Sequence, residues 1–182
     1  EYGLSKTALS FIAGILEHVK GFTAVTNPLV NSYKRLVPGY EAPCYKAWSA
    51  SNRSALVRIP SARGKSTRVE LRSPDPSANP YLTFAVMLAA GLAGIEEGLE
   101  PPAPIEDRDL FTQSRQELRC QGFRTLPESL GQAVELFRHS KLMRETLGDH
   151  ICDYLVEAKQ AEWDEYQSNV STWELDRYLA VL

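Results

Sequence analysis

The 182 residues, 43% of them hydrophobic, are enough for one domain with a sizeable core, which excludes a disordered chain. A charged fraction of 24% and a net charge of -3 give none of the overall basic bias that nucleic acid or an anionic membrane demands. No apolar stretch reads as long as the roughly 18 residues of a bilayer span: residues 11–19 carry Glu17 and His18, and residues 81–95 are short and rich in Ala and Gly. The expectation is a soluble, cytoplasmic chain without a membrane or nucleic-acid partner.

The chain opens on Glu1 and runs at once into a helical pattern, as a piece of a longer protein would. Ala8, Phe11, Ile12, Ile15, Leu16 and Val19 repeat at helical spacing, with Ser5 as N-cap and Gly21 just past the end. Residues 22–54 are rich in Pro, Gly, Asn and Ser and read as loops with short strands between them. Residues 54–59 and 67–72 alternate with a period of two across a turn-forming stretch at 60–66, and predict an antiparallel pair. Residues 80–99 are apolar nearly all round, with Gly91 and Gly94 at small-residue spacing, which predicts a buried helix packed close to a sheet. Pro101, Pro102 and Pro104 make a stiff connector. Leu130, Val134 and Phe137 mark a short helix, and Leu147, Ile151, Leu155 and Ala158 a longer one. Ser171 and Glu174 form a capping box that opens a last amphipathic turn or two. Cys44, Cys120 and Cys152 are odd in number and never in a CxxC pair, and no two of the three histidines have metal-ligand spacing.

The charge is unevenly divided. Residues 33–72 hold nine Lys and Arg against Glu41 and Glu70, a window of +7 in a chain whose remainder is -10. Within it, Arg68, Glu70 and Arg72 share one face of a strand while Val69 and Leu71 share the other. Spacing of this kind puts two guanidiniums beside a carboxylate, far enough apart that none must neutralise the next. Arg58, flanked by Val57 and Ile59, belongs on the same surface from the adjacent strand. Arginine suits bidentate grips on carboxylate or phosphate oxygens, and a carboxylate among arginines suits a divalent cation, so the set reads as a nucleotide phosphate site. The stretch 64–67 imitates the end of a P-loop, but Ile59 stands where the motif needs glycine. Lys65 remains a candidate phosphate contact from a loop. Glu41 lies between Pro38 and Pro43 beside Gly39, a segment suited to swing a carboxylate over a site.

Taken together, Asn27-Pro28, the run from Asn31 through Tyr33, Arg35 and Gly39 to Pro43, Asn52-Arg53-Ser54-Ala55, Arg58-Ile59-Pro60, Glu70-Leu71-Arg72-Ser73-Pro74-Asp75 and Asn79-Pro80-Tyr81-Leu82 resemble the C-terminal half of type I glutamine synthetases. The resemblance covers nearly the whole chain. It implies an α+β fold, with antiparallel or mixed strands of a half-barrel, flanking helices and a helical C-terminal region. Residues 1–100 are expected as the ATP- and glutamate-binding part and 101–182 as a helical region of the same domain. It implies glutamine synthesis from glutamate, ammonia and ATP through a γ-glutamyl phosphate, with Mg2+ or Mn2+.

By motif, Arg35 and Arg72 would hold the glutamate carboxylates, and Glu41 would close over the substrate and take a proton from ammonium. Arg53 would stabilise the phosphoryl group in flight and, with Arg58, Lys65 and Arg68, contact ATP; Glu70 would ligate a metal ion. The remaining metal ligands and a small N-terminal domain would lie upstream, leaving this piece inactive alone. The family assembles as a dodecamer of two six-membered rings, in which residues 172–182 would insert into the opposite ring. Phe111 stands where some relatives carry an adenylylated tyrosine, which argues for feedback by glutamine or a regulator protein instead. A γ-glutamyl-polyamine or other γ-glutamylamide ligase, a non-catalytic homologue and a weaker nucleic-acid-binding reading are the rivals.

Overall fold

The computed structural model describes residues 2–38, 42–50, 52–106, 110 and 112–181. Glu41, Phe111 and residues 107–109 lie outside them, so the expectations for Glu41 and Phe111 are untouched by the geometry that follows.

Helix α1 (Lys6–Thr26) starts as expected, with the Ser5 side chain accepting from the Ala8 amide. It does not stop at Gly21. Phe22 and Val25 extend the buried face, and the Asn27 amide closes the helix on the Thr23 carbonyl. Gly21 serves packing instead, because a Cβ there would lie 2.8 Å from Ser140 Oγ. The longer helix is, by length and composition, apolar enough to cross a membrane, which corrects the reading of residues 11–19; 56% of its apolar window is buried inside the fold.

After the short helix α2 (Val30–Arg35), which the loop-like composition concealed, three two-residue strands form a mixed sheet. β1 (Trp48–Ser49) runs parallel to β2 (Val57–Arg58), and β2 pairs antiparallel with β3 (Glu70–Leu71) in the register Val57 to Leu71 and Arg58 to Glu70. The antiparallel pair was legible from its alternation, though it is shorter than 54–59 and 67–72; β1 is too brief to alternate. The sheet and flanking helices agree with the α+β expectation. The proline connector docks on β1: Trp48 Nε1 donates to the Pro102 carbonyl at 2.6 Å, and the Ile105 amide to the Trp48 carbonyl at 2.9 Å.

Helix α3 (Pro80–Glu96) departs from its forecast. Its N-cap Asn79 accepts from the Tyr81 and Leu82 amides, and its small residues face α1 rather than a sheet. A Cβ on Gly94 would sit 2.3 Å from the Ser10 carbonyl, and one on Gly14 2.2 Å from that of Ala90. The helix is also not buried all round. Tyr81, Phe84, Leu88 and Leu92 are 84%, 68%, 55% and 45% exposed along one stripe.

Downstream come α4 (Arg115–Cys120), α5 (Leu130–Arg138), α6 (Lys141–Leu147), α7 (Asp149–Ser168) and α8 (Thr172–Tyr178). Leu147 ends α6 rather than opening the long helix, because Gly148 turns the chain at φ +80 between them. The capping box is present: the Glu174 amide donates to Ser171 Oγ, and the Ser171 amide to Glu174 Oε2. One core joins the two halves of the chain, with Ile12, Val19, Phe22, Trp48, Val57 and Ile59 packed with Leu130, Val134, Phe137 and Met143.

Candidate functional site: an arginine face on the short sheet

Val57 and Ile59 are fully buried, which turns Arg58 to the opposite face of β2. The antiparallel register sets Arg58 opposite Glu70, and its Nε and Nη2 reach Glu70 Oε2 at 3.0 and 2.7 Å. Arg68, two residues before Glu70 on the same face, brings Nε and Nη2 to the other oxygen, Oε1, each at 2.8 Å. The three side chains therefore share a face as the alternation predicts, but they do neutralise one another. Burial pushes the Glu70 carboxyl up, while the hydrogen bonds from Arg58 and Arg68 outweigh it and hold the group below the usual carboxylate range.

Arg72 continues the face. Its amide donates to the Leu56 carbonyl at 2.9 Å and its Nη1 to the Ala55 carbonyl at 3.3 Å. Burial, followed by the charges of Arg58, Arg53 and Arg35, lowers its guanidinium pKa against the pull of Glu70. Arg35 approaches from α2, with Nη1 2.8 Å from the Ser73 carbonyl and Nη2 3.3 Å from that of Arg72. It thus clasps the backbone that carries Arg72. Two of its five donors are spent there, and three remain.

Arg53 is exposed in a turn held by Asn52, whose Oδ1 accepts from the Ser54 amide at 2.8 Å and from Ser54 Oγ at 2.7 Å. Lys65 sits exposed on the 3-10 turn Gly64–Ser66 between β2 and β3, and among the described residues it has no hydrogen-bond or ion-pair partner. Arg58 and Arg68 therefore grip the Glu70 carboxylate, Arg72 lies close enough to feel Glu70, Arg58, Arg53 and Arg35, and Lys65 stands on the adjoining loop.

That surplus of positive charge suits an anionic ligand with several oxygens. It does not suit a metal ion by itself. Both Glu70 oxygens are already taken, and the described residues contain no group of three His, Cys, Asp or Glu side chains able to hold one. A cavity of about 640 Å3, lined in part by Glu17, Lys46, Glu100, Phe123 and Arg124, lies on a different surface. The arginine face is open strand surface, and its chemistry identifies it better than cavity volume does.

Residues that the motif reading quoted but gave no role complete the setting. The Ser73 carbonyl accepts a second donor, Asn27 Nδ2, at 2.8 Å, and the Asp75 amide donates to the Thr26 carbonyl at 2.8 Å. Asn27 before Pro28 reads in sequence as a turn, and nothing local signals a bond to a residue 46 positions away.

Residues 1–178 match the family described as glutamine synthetase, catalytic domain. The chain is 59% identical over 180 residues to the glutamine synthetase of Thermus thermophilus and 55% over 177 residues to that of Clostridium saccharobutylicum. These alignments take in 99% and 97% of this chain but 40% of each relative, so the chain spans about two fifths of their length. Among solved structures, the GmaS/ADP complex in conformation 1 superposes with a TM-score of 0.87 at 39% identity, covering 99% of this chain and 41% of that one. Apo GmaS without ligand gives 0.78 at 38% identity, covering 98% and 39%.

Proposed function

The chain belongs to the glutamine synthetase family, and we propose that it supplies the anion-holding part of an ATP-dependent ligase that joins ammonia to glutamate. The carrying observation is the arginine face, where Arg58, Arg68 and Arg72 surround Glu70 with Arg35 and Arg53 at its margin. The ADP bound by the GmaS relative supports a nucleotide as one of its ligands.

In this reading Arg72 and the free donors of Arg35 grip the glutamate carboxylates, while Arg53, Arg58, Lys65 and Arg68 hold the ATP phosphates. The substrate γ-carboxylate attacks the terminal phosphorus and ADP leaves. Arg53, exposed and unpaired among the described residues, offsets the charge on the moving phosphoryl group. Glu41 takes a proton from ammonium, the ammonia so formed attacks the acyl carbon, and hydrogen phosphate departs with the second proton. Glu70 serves Mg2+ or Mn2+ as one ligand at most, since its partners here are arginines and the described residues hold no group of three acidic, His or Cys side chains to complete a site. The reading includes a cytoplasmic location, assembly as a dodecamer of two hexameric rings, and control by glutamine or a regulator protein.

The test is ADP release by the full-length protein with glutamate, ATP and Mg2+, offering ammonium, ethylamine or putrescine, beside a Glu41→Ala variant. Turnover with ammonium that falls at least about 100-fold in the variant, the scale of losing a general base, bears the proposal out. Turnover only with an organic amine reassigns the protein to γ-glutamylamide synthesis, and none with any amine makes it non-catalytic.

A further inference from the structure

Asn27 is fully buried, yet none of its recorded hydrogen bonds goes to an arginine side chain of the site. Both ends of its amide are committed. The Thr26 hydroxyl donates to Oδ1 at 2.9 Å, and Nδ2 donates to the Ser73 carbonyl at 2.8 Å. Its backbone amide closes α1 on the Thr23 carbonyl at 2.8 Å, and the neighbouring Thr26 carbonyl receives the Asp75 amide. The Ser73 carbonyl is the same oxygen that Arg35 Nη1 clasps from α2. Three pieces of chain, the end of α1, α2 and the segment leaving β3, therefore meet at the Ser73 carbonyl, one residue past Arg72.

An amide with a donor partner on one side and an acceptor partner on the other has a single favourable orientation. The helix end that carries it is set in the core by Phe22 and Val25. The Ser73 carbonyl is thus referred to a rigid element, and Arg35 and Arg72, which both attach to that stretch of backbone, are referred to it as well. We infer that Asn27 is a positioning residue, which fixes the spacing and direction between the guanidiniums of Arg35 and Arg72 by holding the Ser73 carbonyl. The inference rests on the reading of those two arginines as the grips for the acidic substrate. A dicarboxylate held by two guanidiniums is sensitive to their separation, because a misplacement of about 1 Å is enough to cost orders of magnitude in rate.

The test is steady-state kinetics of the full-length enzyme carrying Asn27→Asp, with the unfolding midpoint measured in parallel. The carboxylate keeps the shape and the acceptor for Thr26, but it loses the donor and turns an oxygen toward the Ser73 carbonyl. The KM for glutamate is expected to rise about tenfold, the factor one buried hydrogen bond represents, with the KM for ATP held within about twofold. A purely structural role lowers the folded fraction, and with it kcat per mole of protein, while leaving both KM values unchanged; that result overturns the inference. Should Asn27→Asp fail to fold, Thr26→Val removes the hydroxyl that orients the amide. A glutamate KM raised about threefold is then expected, and an unchanged one overturns the inference. Wild-type enzyme that releases no ADP with glutamate sinks the proposed function and this inference together, whereas wild-type turnover with unaltered glutamate KM in the variants sinks the inference alone.

Discussion

At Glu70 one carboxylate faces two guanidiniums, and its chemistry divides into a stability effect and a binding effect. Its folded-state pKa lies below the ordinary value near 4.5, so the pairs stabilise the fold fully above that value and lose their effect as pH falls through the lower one. Glu70→Gln is accordingly expected to lower the unfolding midpoint at pH 7, by under about 1 kcal/mol for pairs this open to solvent, and the gap to wild type should narrow and close as pH falls through the lowered folded-state pKa. Thermal unfolding followed by circular dichroism across that range checks it. The same substitution leaves Arg58 and Arg68 without their partner, so metal-free ADP should bind several-fold more tightly, as read by calorimetry in the presence of a chelator. The alternation of 68, 70 and 72 was legible in sequence because strand side chains alternate faces. The ion pair to Arg58 was not, because it depends on a register that sets Arg58 opposite Glu70.

Glycine carries most of the information between elements. Gly21 reads as a helix stop, and in the fold it is a point of close approach to Ser140. Gly14 and Gly94 let the backbones of α1 and α3 touch, so Gly94→Ala must push the Ser10 carbonyl and Gly14 aside and should destabilise by about 1–3 kcal/mol. Gly98→Ala, with nothing within 4 Å but a φ of +63, should cost about 1 kcal/mol for the left-handed backbone alone. Urea denaturation midpoints separate the two. Small-residue spacing in α3 was visible in sequence, but whether a sheet or a helix would fill the groove was not, since both accept a smooth surface. Helix α2 was hidden by loop-like composition: its six residues are too few to show a period, and its ends are set by contacts such as the clasp of Arg35 on the 72–73 backbone.

At the scale of the whole molecule, two stretches of exposed apolar side chain stand out among the described residues. One is the stripe of Tyr81, Phe84, Leu88 and Leu92 on α3, and the other is α8 and the residues after it, with Trp173, Leu179 and Val181 between 64% and 78% exposed. Patches of this kind favour association. The 182-residue chain is expected to self-associate with rising concentration, and Leu88→Lys combined with Leu92→Lys should reduce that in sedimentation velocity. Because both side chains are about half exposed, the unfolding midpoint should move by no more than about 0.5 kcal/mol. A larger loss of stability would mean that the stripe is part of the core.

What the sequence by itself determined was the family, the strand face that carries the arginines, the caps at Ser5 and Ser171 and the apolar positions of the long helices. The family follows from the resemblance of its motifs, and the rest from short-range rules: side-chain alternation along a strand, helical periodicity, and hydrogen bonds between residues three apart. Only the tertiary structure decided that α1 runs on to Thr26, that α3 packs on a helix and leaves a stripe uncovered, that Glu70 is shared by two arginines, and that Asn27 reaches Ser73. Each of these depends on groups far apart in the chain, whose meeting is set by how the elements pack rather than by any local pattern of residues.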